Sequence, residues 1–224
     1  MSRSSRARRV AALTLAAALA ACADLATDPA HTPLAPEVAL SNATAAPAFD
    51  DDFSRFDGAR WSPQEHALGR GWFRAANVAG EPGRVRLVHP AGTLDGGEIL
   101  SAARYGYGTY EAWIRTPGAP GTISAFFLYQ GGARSDELDV EIFNDGSRRV
   151  MFTVWVAGVQ QYTAAHVLPF DPADGVHRYT IDWQAGRVRF LVDGTLLQAW
   201  SHRRNVPRSA MYLMANAWWP VWIG

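Results

Sequence analysis

The chain has 224 residues, a length that fits one domain with short appendages and that allows a hydrophobic core. Hydrophobic residues make up 48% of it and aromatic residues 12%, as in a globular protein. The formal net charge is zero, so we expect no nucleic-acid partner. All 21 basic residues are Arg, which excludes a catalytic Lys.

The N-terminus has the pattern of an export signal. Basic residues precede an apolar run at residues 10–21 that is too short to span a bilayer as a helix. The run ends in Leu19-Ala20-Ala21-Cys22, which resembles a bacterial lipobox, where the cysteine is lipidated and becomes the new N-terminus. An ordinary signal peptide with a chance cysteine is the alternative. We therefore expect residues 1–22 to be a lipoprotein-type signal peptide with Cys22 as its lipidation site.

The next segment, residues 23–48, is rich in Ala, Pro and Thr, and its prolines oppose regular structure. We expect a disordered tether that holds the following domain away from a membrane. The only membrane contact would be the lipid on Cys22, which places the protein at the cell surface or outer membrane. Without that lipid it would be secreted. Cys22 is also the only cysteine, so no intrachain disulfide can form.

From Phe49 onward, short runs rich in β-branched and aromatic residues alternate with Gly, Pro and Asp turns. No segment has a long helical period. Asp193-Gly194 between two apolar runs predicts a β-hairpin. Many evenly spaced strands predict an all-β sandwich. The predicted strands are residues 85–89, 109–115, 123–129, 137–143, 150–156, 178–183, 188–192 and 211–217.

Three carboxylates alternate with two apolar residues in Glu137-Leu138-Asp139-Val140-Glu141. Because side chains alternate faces along a strand, the three acids share one face and the two apolar residues face a core. Crowded carboxylates raise at least one pKa, and a protonated acid beside a carboxylate is what glycosidic bond cleavage requires. The spacing alone leaves open a solvated acidic face or a calcium site.

The flanking sequence favours glycosidase chemistry. Residues 136–141 read DELDVE, and further matching segments are residues 105–113 (YGYGTYEAW), 124–129 (SAFFLY), 177–183 (HRYTIDW), 190–194 (FLVDG) and 214–218 (MANAW). In this order they resemble glycoside hydrolase family 16, the retaining endo-β-glucanases that include lichenase-type enzymes. Residues 105–113 resemble the strand that precedes the active one. The resemblance runs from about Phe49 to Gly224, so we expect residues 49–224 to be the catalytic domain.

The resemblance implies a jelly-roll β-sandwich of two antiparallel sheets with a concave substrate groove. It also implies endo-acting, retaining cleavage of β-1,3/1,4-type glucans by double displacement. In that reaction Glu137 would be the nucleophile and Glu141 the general acid/base, while Asp139 would tune their protonation. By the same resemblance, the substrate-binding residues would be Glu98, Phe127, Tyr129, Trp155, Asn216 and Trp218.

Several features depart from the lichenase pattern. Ser135, Leu100 and Thr153 stand where lichenases carry Trp, Arg and Asn, which predicts an altered groove near the cleavage point. Family members continue to a further strand, whereas this sequence stops at Gly224, so we expect the C-terminal strand to be missing.

The histidines show no paired ligand spacing, so we expect no catalytic metal and no cofactor. Family analogy leaves a structural calcium open. We expect a monomer with a polysaccharide substrate. Two other functions fit the same residues: a transglycosylase that passes the glycosyl group to another sugar, and a carbohydrate-binding jelly roll that has lost activity.

Overall fold

The computed structural model describes residues 49–223, so the predicted signal peptide, Cys22 and tether lie outside the described residues. The domain that begins at Phe49 forms one compact unit. It contains strands, turns and a single 3₁₀ turn at Ala75–Asn77, with no α-helix in this part of the chain. No helix among residues 49–223 is therefore long and apolar enough to cross a membrane.

Residues 49–223 contain fifteen strands, numbered in chain order. The first five are short: β1 Trp61–Pro63, β2 His66–Leu68, β3 Gly71–Phe73, β4 Val78–Glu81 and β5 Arg84–Leu87. The next five are β6 Gly97–Tyr105, β7 Gly108–Ile114, β8 Ile123–Tyr129, β9 Glu137–Phe143 and β10 Arg149–Val156. The last five are β11 Val159–Val167, β12 His177–Gln184, β13 Arg187–Val192, β14 Thr195–Ser201 and β15 Met211–Trp218.

Two antiparallel sheets form the sandwich, which confirms the predicted fold class. The larger has seven strands in the order β1-β6-β15-β8-β9-β10-β11, and the smaller has four in the order β14-β13-β12-β7. The pairs β2-β3 and β4-β5 are separate two-stranded ribbons. Strand β9 lies inside the larger sheet, between β8 and β10, so both its edges are hydrogen-bonded and its side chains are held firmly.

The core lies between the two sheets. Leu138, Val140 and Ile142 on β9 are fully buried, and each such side chain stabilises the fold by about 1.5–3 kcal/mol. Across the core, Phe152 of β10 stacks on Phe190 of β13 with ring centroids 4.8 Å apart. The apolar half of the alternating β9 sequence therefore faces the core, and its acidic half faces the other side of the larger sheet.

Two local expectations have clear outcomes. The hairpin at Asp193-Gly194 is confirmed, because both residues are left-handed, with φ of 48° and 79°, between β13 and β14. The strand predicted at residues 109–115 is observed as β7, but the stretch 105–113, which resembles the strand that precedes the active one, is not one strand. It comprises the end of β6, a turn at Gly106-Tyr107 and β7, which belongs to the opposite sheet. The glycines in YGYGTY mark this turn between sheets.

Candidate active site

The three carboxylates of β9 lie together on the open face of the seven-stranded sheet. Asp139 is buried, with 7% of its surface exposed, whereas Glu137 and Glu141 are half-buried. The intervening Leu138 and Val140 have no exposed surface. Burial of the apolar residues against the opposite sheet therefore fixes the direction of the carboxylates.

Neighbouring strands provide the surroundings of the carboxylates. Residues directly opposite one another in an antiparallel sheet share a face, so the strand register gives the lining of the groove. On β8 and β10, the residues that pair with the carboxylates are Tyr129 and Trp155 for Glu137, Phe127 and Thr153 for Asp139, and Ala125 and Met151 for Glu141.

Asp139 is the most constrained of the three acids. The indole Nε1 of Trp155 donates a hydrogen bond to Asp139 Oδ2 at 3.1 Å. Burial raises the pKa of Asp139 well above its usual value, and the negative charges of Glu137 and Glu141 raise it further. A hydrogen bond between the carboxyl groups of Asp139 and Glu137 also favours the protonated form of Asp139. These effects favour the protonated form of Asp139, in which its carboxyl can donate to Glu137.

The outer two acids titrate near neutrality. Burial raises the pKa of Glu137 to about 7, and the charge of Glu98 acts in the same direction, while the bond from Asp139 opposes it. Burial likewise raises the pKa of Glu141 to about 7, with a further contribution from Glu137. The two carboxyls influence each other, so they lose their protons in two separate steps. Between those steps one is ionised and the other protonated, as acid and nucleophile in one site must be.

Glu98 on β6 lies deep in the same face, with 2% of its surface exposed. Its Oε1 is 2.9 Å from His66 Nε2, and its Oε2 accepts a 2.9 Å hydrogen bond from Asn216 Nδ2 on β15. Both carboxylate oxygens are thus engaged by protein groups. Asn216 Oδ1 is buried and has no hydrogen-bond partner within residues 49–223.

The predicted aromatic residues occupy different depths. Phe127 is buried, with 7% of its surface exposed, and packs in an apolar cluster with Met214. Tyr129 is half-buried, and its hydroxyl donates to the carbonyl of Gly132 at 3.2 Å. Trp155 and Trp218 are also half-buried. Phe127 therefore forms part of the groove floor, whereas the other three keep exposed surface for an apolar sugar face.

Sequence reasoning assigned no role to His66, which contacts Glu98. These residues are 32 positions apart, and no local pattern joins them. Met151 was also missed as a partly buried member of the apolar cluster that includes Phe127, whereas Leu100, which was expected to alter the groove, lies in the same cluster. Period-two alternation with Trp155 could have identified Met151, because the two residues are four apart on β10.

Residues 49–223 contain no group of three or more His, Cys, Asp and Glu side chains arranged to hold a metal ion. This part of the chain therefore does not fit a calcium site built from three or more acidic side chains.

Comparison with known proteins identifies the family of this chain. The model of the family described as glycosyl hydrolases family 16 matches residues 73–221. A β-glucanase of Bacillus subtilis (strain 168) is 30% identical over 192 residues, which cover 80% of this chain and 78% of that enzyme. A β-glucanase of Paenibacillus polymyxa is 33% identical over 139 residues, 60% of this chain, and the match spans only 58% of that enzyme's length.

The structure of the Bacillus licheniformis β-glucanase superimposes with a TM-score of 0.70 at 29% identity, covering 77% of this chain and 87% of that one. Laminarinase and endo-glucanase structures below 25% identity, such as the catalytic domain from Thermotoga petrophila with a TM-score of 0.64 at 16%, share the fold. The family match, the sandwich and the three-acid strand lead to one conclusion: this chain belongs to glycosyl hydrolase family 16.

Proposed function

We propose that the protein is an endo-acting β-glucanase that cleaves β-1,3/1,4-type glucans with retention of anomeric configuration. The observation that carries this proposal is the pair Glu137 and Glu141, both with pKa values of about 7, on either side of a buried Asp139. The enzymes from Bacillus subtilis and Paenibacillus polymyxa are named β-glucanases, which supports a β-glucan as the substrate.

In the first step, a carboxylate oxygen of Glu137 attacks the anomeric carbon while the glycosidic C–O bond breaks. The leaving oxygen takes the proton of Glu141, so a covalent glycosyl ester and a shortened glucan chain form. The pKa of about 7 makes Glu141 a proton donor at neutral pH, which a carboxyl with its usual pKa of 4.5 is not.

In the second step, the now ionised Glu141 takes a proton from water. The water oxygen attacks the anomeric carbon, the ester bond breaks, and the electron pair returns to the carboxylate of Glu137. Two displacements at one carbon restore its original configuration. In this proposal Asp139 acts through its hydrogen bond to Glu137, which stabilises the ionised nucleophile before attack and the returning carboxylate afterwards.

The groove offers both kinds of contact that a glucan needs. Trp155, Trp218 and Tyr129 present partly exposed rings for the apolar faces of sugars, and Asn216 is the expected polar contact with a sugar hydroxyl. Because both oxygens of Glu98 are engaged by His66 and Asn216, we assign Glu98 a positioning role beside its predicted sugar contact. We propose that no cofactor takes part.

We also propose that the protein is exported and anchored at the cell surface through a lipid on Cys22, with residues 23–48 as the tether. The basic N-terminus, the apolar run and the Leu-Ala-Ala-Cys sequence support this arrangement. In this proposal the catalytic domain works as a monomer on polymers outside the cell, and the lipid is its only contact with the membrane.

The test compares reducing ends released from barley mixed-linkage glucan, laminarin and xyloglucan by wild type, Glu137→Gln and Glu111→Gln. Glu111 lies on β7 of the opposite sheet, where it pairs with Arg178 and accepts a hydrogen bond from Thr180 Oγ1, so it is a control outside the groove. We expect release from mixed-linkage glucan by wild type and Glu111→Gln, with loss in Glu137→Gln. Two results would contradict the proposal: Glu137→Gln releases as many reducing ends as wild type, or the folded wild type releases none from any of the three polymers.

A further inference from the structure

A second concave site lies where three connections meet at one end of the four-stranded sheet. These are the β6-β7 turn, the β12-β13 turn and the long connection from β14 to β15. They enclose a cleft of about 440 Å³, within the range of about 300–1,000 Å³ that is usual for small-ligand sites. The lining residues are Tyr107, Ala185, Gly186, Arg203, Arg204 and Arg208, none of which belongs to the glucan groove.

The cleft carries an unbalanced positive charge. Arg203, Arg204 and Arg208 are exposed, and none of them has a carboxylate within 4.0 Å in the described part of the chain. Eight other arginines of the domain do have such a partner. Three arginines that line one cleft repel one another, and an anion bound there would reduce that repulsion.

The two walls of the cleft are held by the same buried residue, Trp183. The ring of Tyr107 packs edge-on against Trp183, with centroids 4.9 Å apart and planes at 70°. On the other wall, Trp183 Nε1 donates a 2.9 Å hydrogen bond to the carbonyl of Pro207, and the neighbouring Val206 is fully buried. The backbone N–H of Arg208 donates to Asp136 at 3.3 Å. The backbone that carries the arginines is therefore anchored, which reduces the ordering cost of binding.

We infer that this cleft is a second carbohydrate site, specific for a sugar that carries a carboxylate, such as a residue of a uronic-acid polysaccharide. Tyr107, 46% exposed, offers one ring face to the apolar side of a sugar. Guanidinium groups match the two oxygens of a carboxylate in paired hydrogen bonds. An aromatic platform beside a cluster of arginines suits an anionic sugar better than a neutral glucan.

Calorimetric titration of the full chain tests the inference with a galacturonic acid oligomer, a neutral gluco-oligomer of the same length and inorganic phosphate. We expect the galacturonic acid oligomer to bind, and its affinity to fall as salt is added. The triple variant Arg203→Gln/Arg204→Gln/Arg208→Gln should bind it about tenfold more weakly or worse. Arg115→Gln, an exposed arginine outside the cleft, should bind it as wild type does. Binding of the neutral gluco-oligomer measures the groove on the seven-stranded sheet, so its affinity should be the same for wild type and all these variants.

Tyr107→Ala separates a sugar site from a bare ion site. This variant should lose affinity for the galacturonic acid oligomer while it keeps any binding of phosphate. Equal affinity of wild type and the triple variant for the galacturonic acid oligomer would overturn the inference, provided that thermal melting shows the variant folded. Phosphate binding without binding of that oligomer would also overturn it, because the cleft would then recognise an ion alone. Both outcomes leave the glucanase proposal untouched.

Discussion

Asp139 is the residue whose chemistry differs most from its usual behaviour. It accepts a hydrogen bond from Trp155 and donates its own proton towards Glu137, so it works as a neutral group. Asparagine has the same shape, with an oxygen to accept and an N–H to donate. We therefore expect Asp139→Asn to keep most of the activity. Asp139→Ala should lower kcat by about 100-fold, because Glu137 loses its donor.

The measurement is the initial rate on mixed-linkage glucan, with thermal melting to verify that both variants are folded. A loss in Asp139→Asn as large as in Asp139→Ala would show that the ionised carboxylate of Asp139 is needed. That result would contradict the assignment of Asp139 as a neutral hydrogen-bond donor.

The raised pKa of Glu141 also predicts how stability depends on pH. The pKa is about 7 in the folded protein against a usual 4.5, so the folded state holds the proton more tightly than the unfolded state. This contribution to stability is fully present below pH 4.5 and is lost as the pH rises towards 7. We expect Glu141→Gln to be more stable than wild type by about 1–2 kcal/mol at pH 8, and equal to it near pH 4.5.

Urea unfolding of the two proteins at both pH values measures this difference. Glu111→Gln, on the opposite sheet, serves as the control and should show no such dependence on pH. A Glu141→Gln variant less stable than wild type at pH 8 would mean that Glu141 is stabilised as a carboxylate in the folded protein.

At the scale of elements, regular alternation made β9 predictable, and its observed bounds, 137–143, are the predicted ones. The same holds for the apolar β8 at 123–129. Strands β6, β11 and β14 were not among the predicted strands. In β11 a mixture of Gln, Thr, Ala and His gives no strong apolar period, because this edge strand buries none of its residues. Pairing with β10 determines its structure, and pairing is a tertiary effect.

The same limit applies to the site. Alternation showed that Glu137, Asp139 and Glu141 share a face, because that depends only on positions two apart. The bond between His66 and Glu98 joins β2 to β6 and has no local signature. The pKa values of about 7 depend on burial by neighbouring strands, which a sequence does not display. Local periodicity thus predicts which face of the strand a side chain occupies. Its pKa, and therefore its charge, depends on burial by neighbouring strands.

Close packing of Gly96 against β15 yields a prediction about an element. A Cβ atom at Gly96 would lie 2.0 Å from the carbonyl oxygen of Ala217, which stands between Asn216 and Trp218. Because that atom is backbone, β15 would have to shift. We expect Gly96→Ala to lower the free energy of unfolding by about 1–3 kcal/mol and to reduce activity.

Urea unfolding and rates on mixed-linkage glucan measure both effects. Gly118→Ala is the matched control, since an added Cβ there meets no atom within 4 Å. If Gly96→Ala behaved as Gly118→Ala does, the end of β15 would have to be adaptable, and the close packing of Gly96 against Ala217 would not constrain this strand.

At the scale of the whole molecule, the lipid anchor proposed on Cys22 determines where the enzyme meets its polymer. Expression of wild type and Cys22→Ser in a bacterial host, followed by membrane fractionation and mass determination, tests this. We expect wild type in the membrane fraction with the mass of an added lipid, and Cys22→Ser released in soluble form. Ala23→Ser is a neighbouring control that should remain attached. Wild type found in the soluble fraction, with the mass of the unmodified protein, would contradict the lipid anchor on Cys22.

Double displacement requires a covalent glycosyl ester on Glu137, and trapping this intermediate tests the mechanism directly. The full chain is incubated with a 2-deoxy-2-fluoro β-gluco-oligosaccharide that carries a dinitrophenyl leaving group, and the labelled peptide is then sequenced by mass spectrometry. Fluorine next to the anomeric carbon slows the second displacement, so the ester accumulates. If Glu137 is the nucleophile, we expect one adduct per chain, on Glu137, and no adduct in Glu137→Gln. An adduct on Glu141, or a wild-type product with inverted configuration, would contradict it.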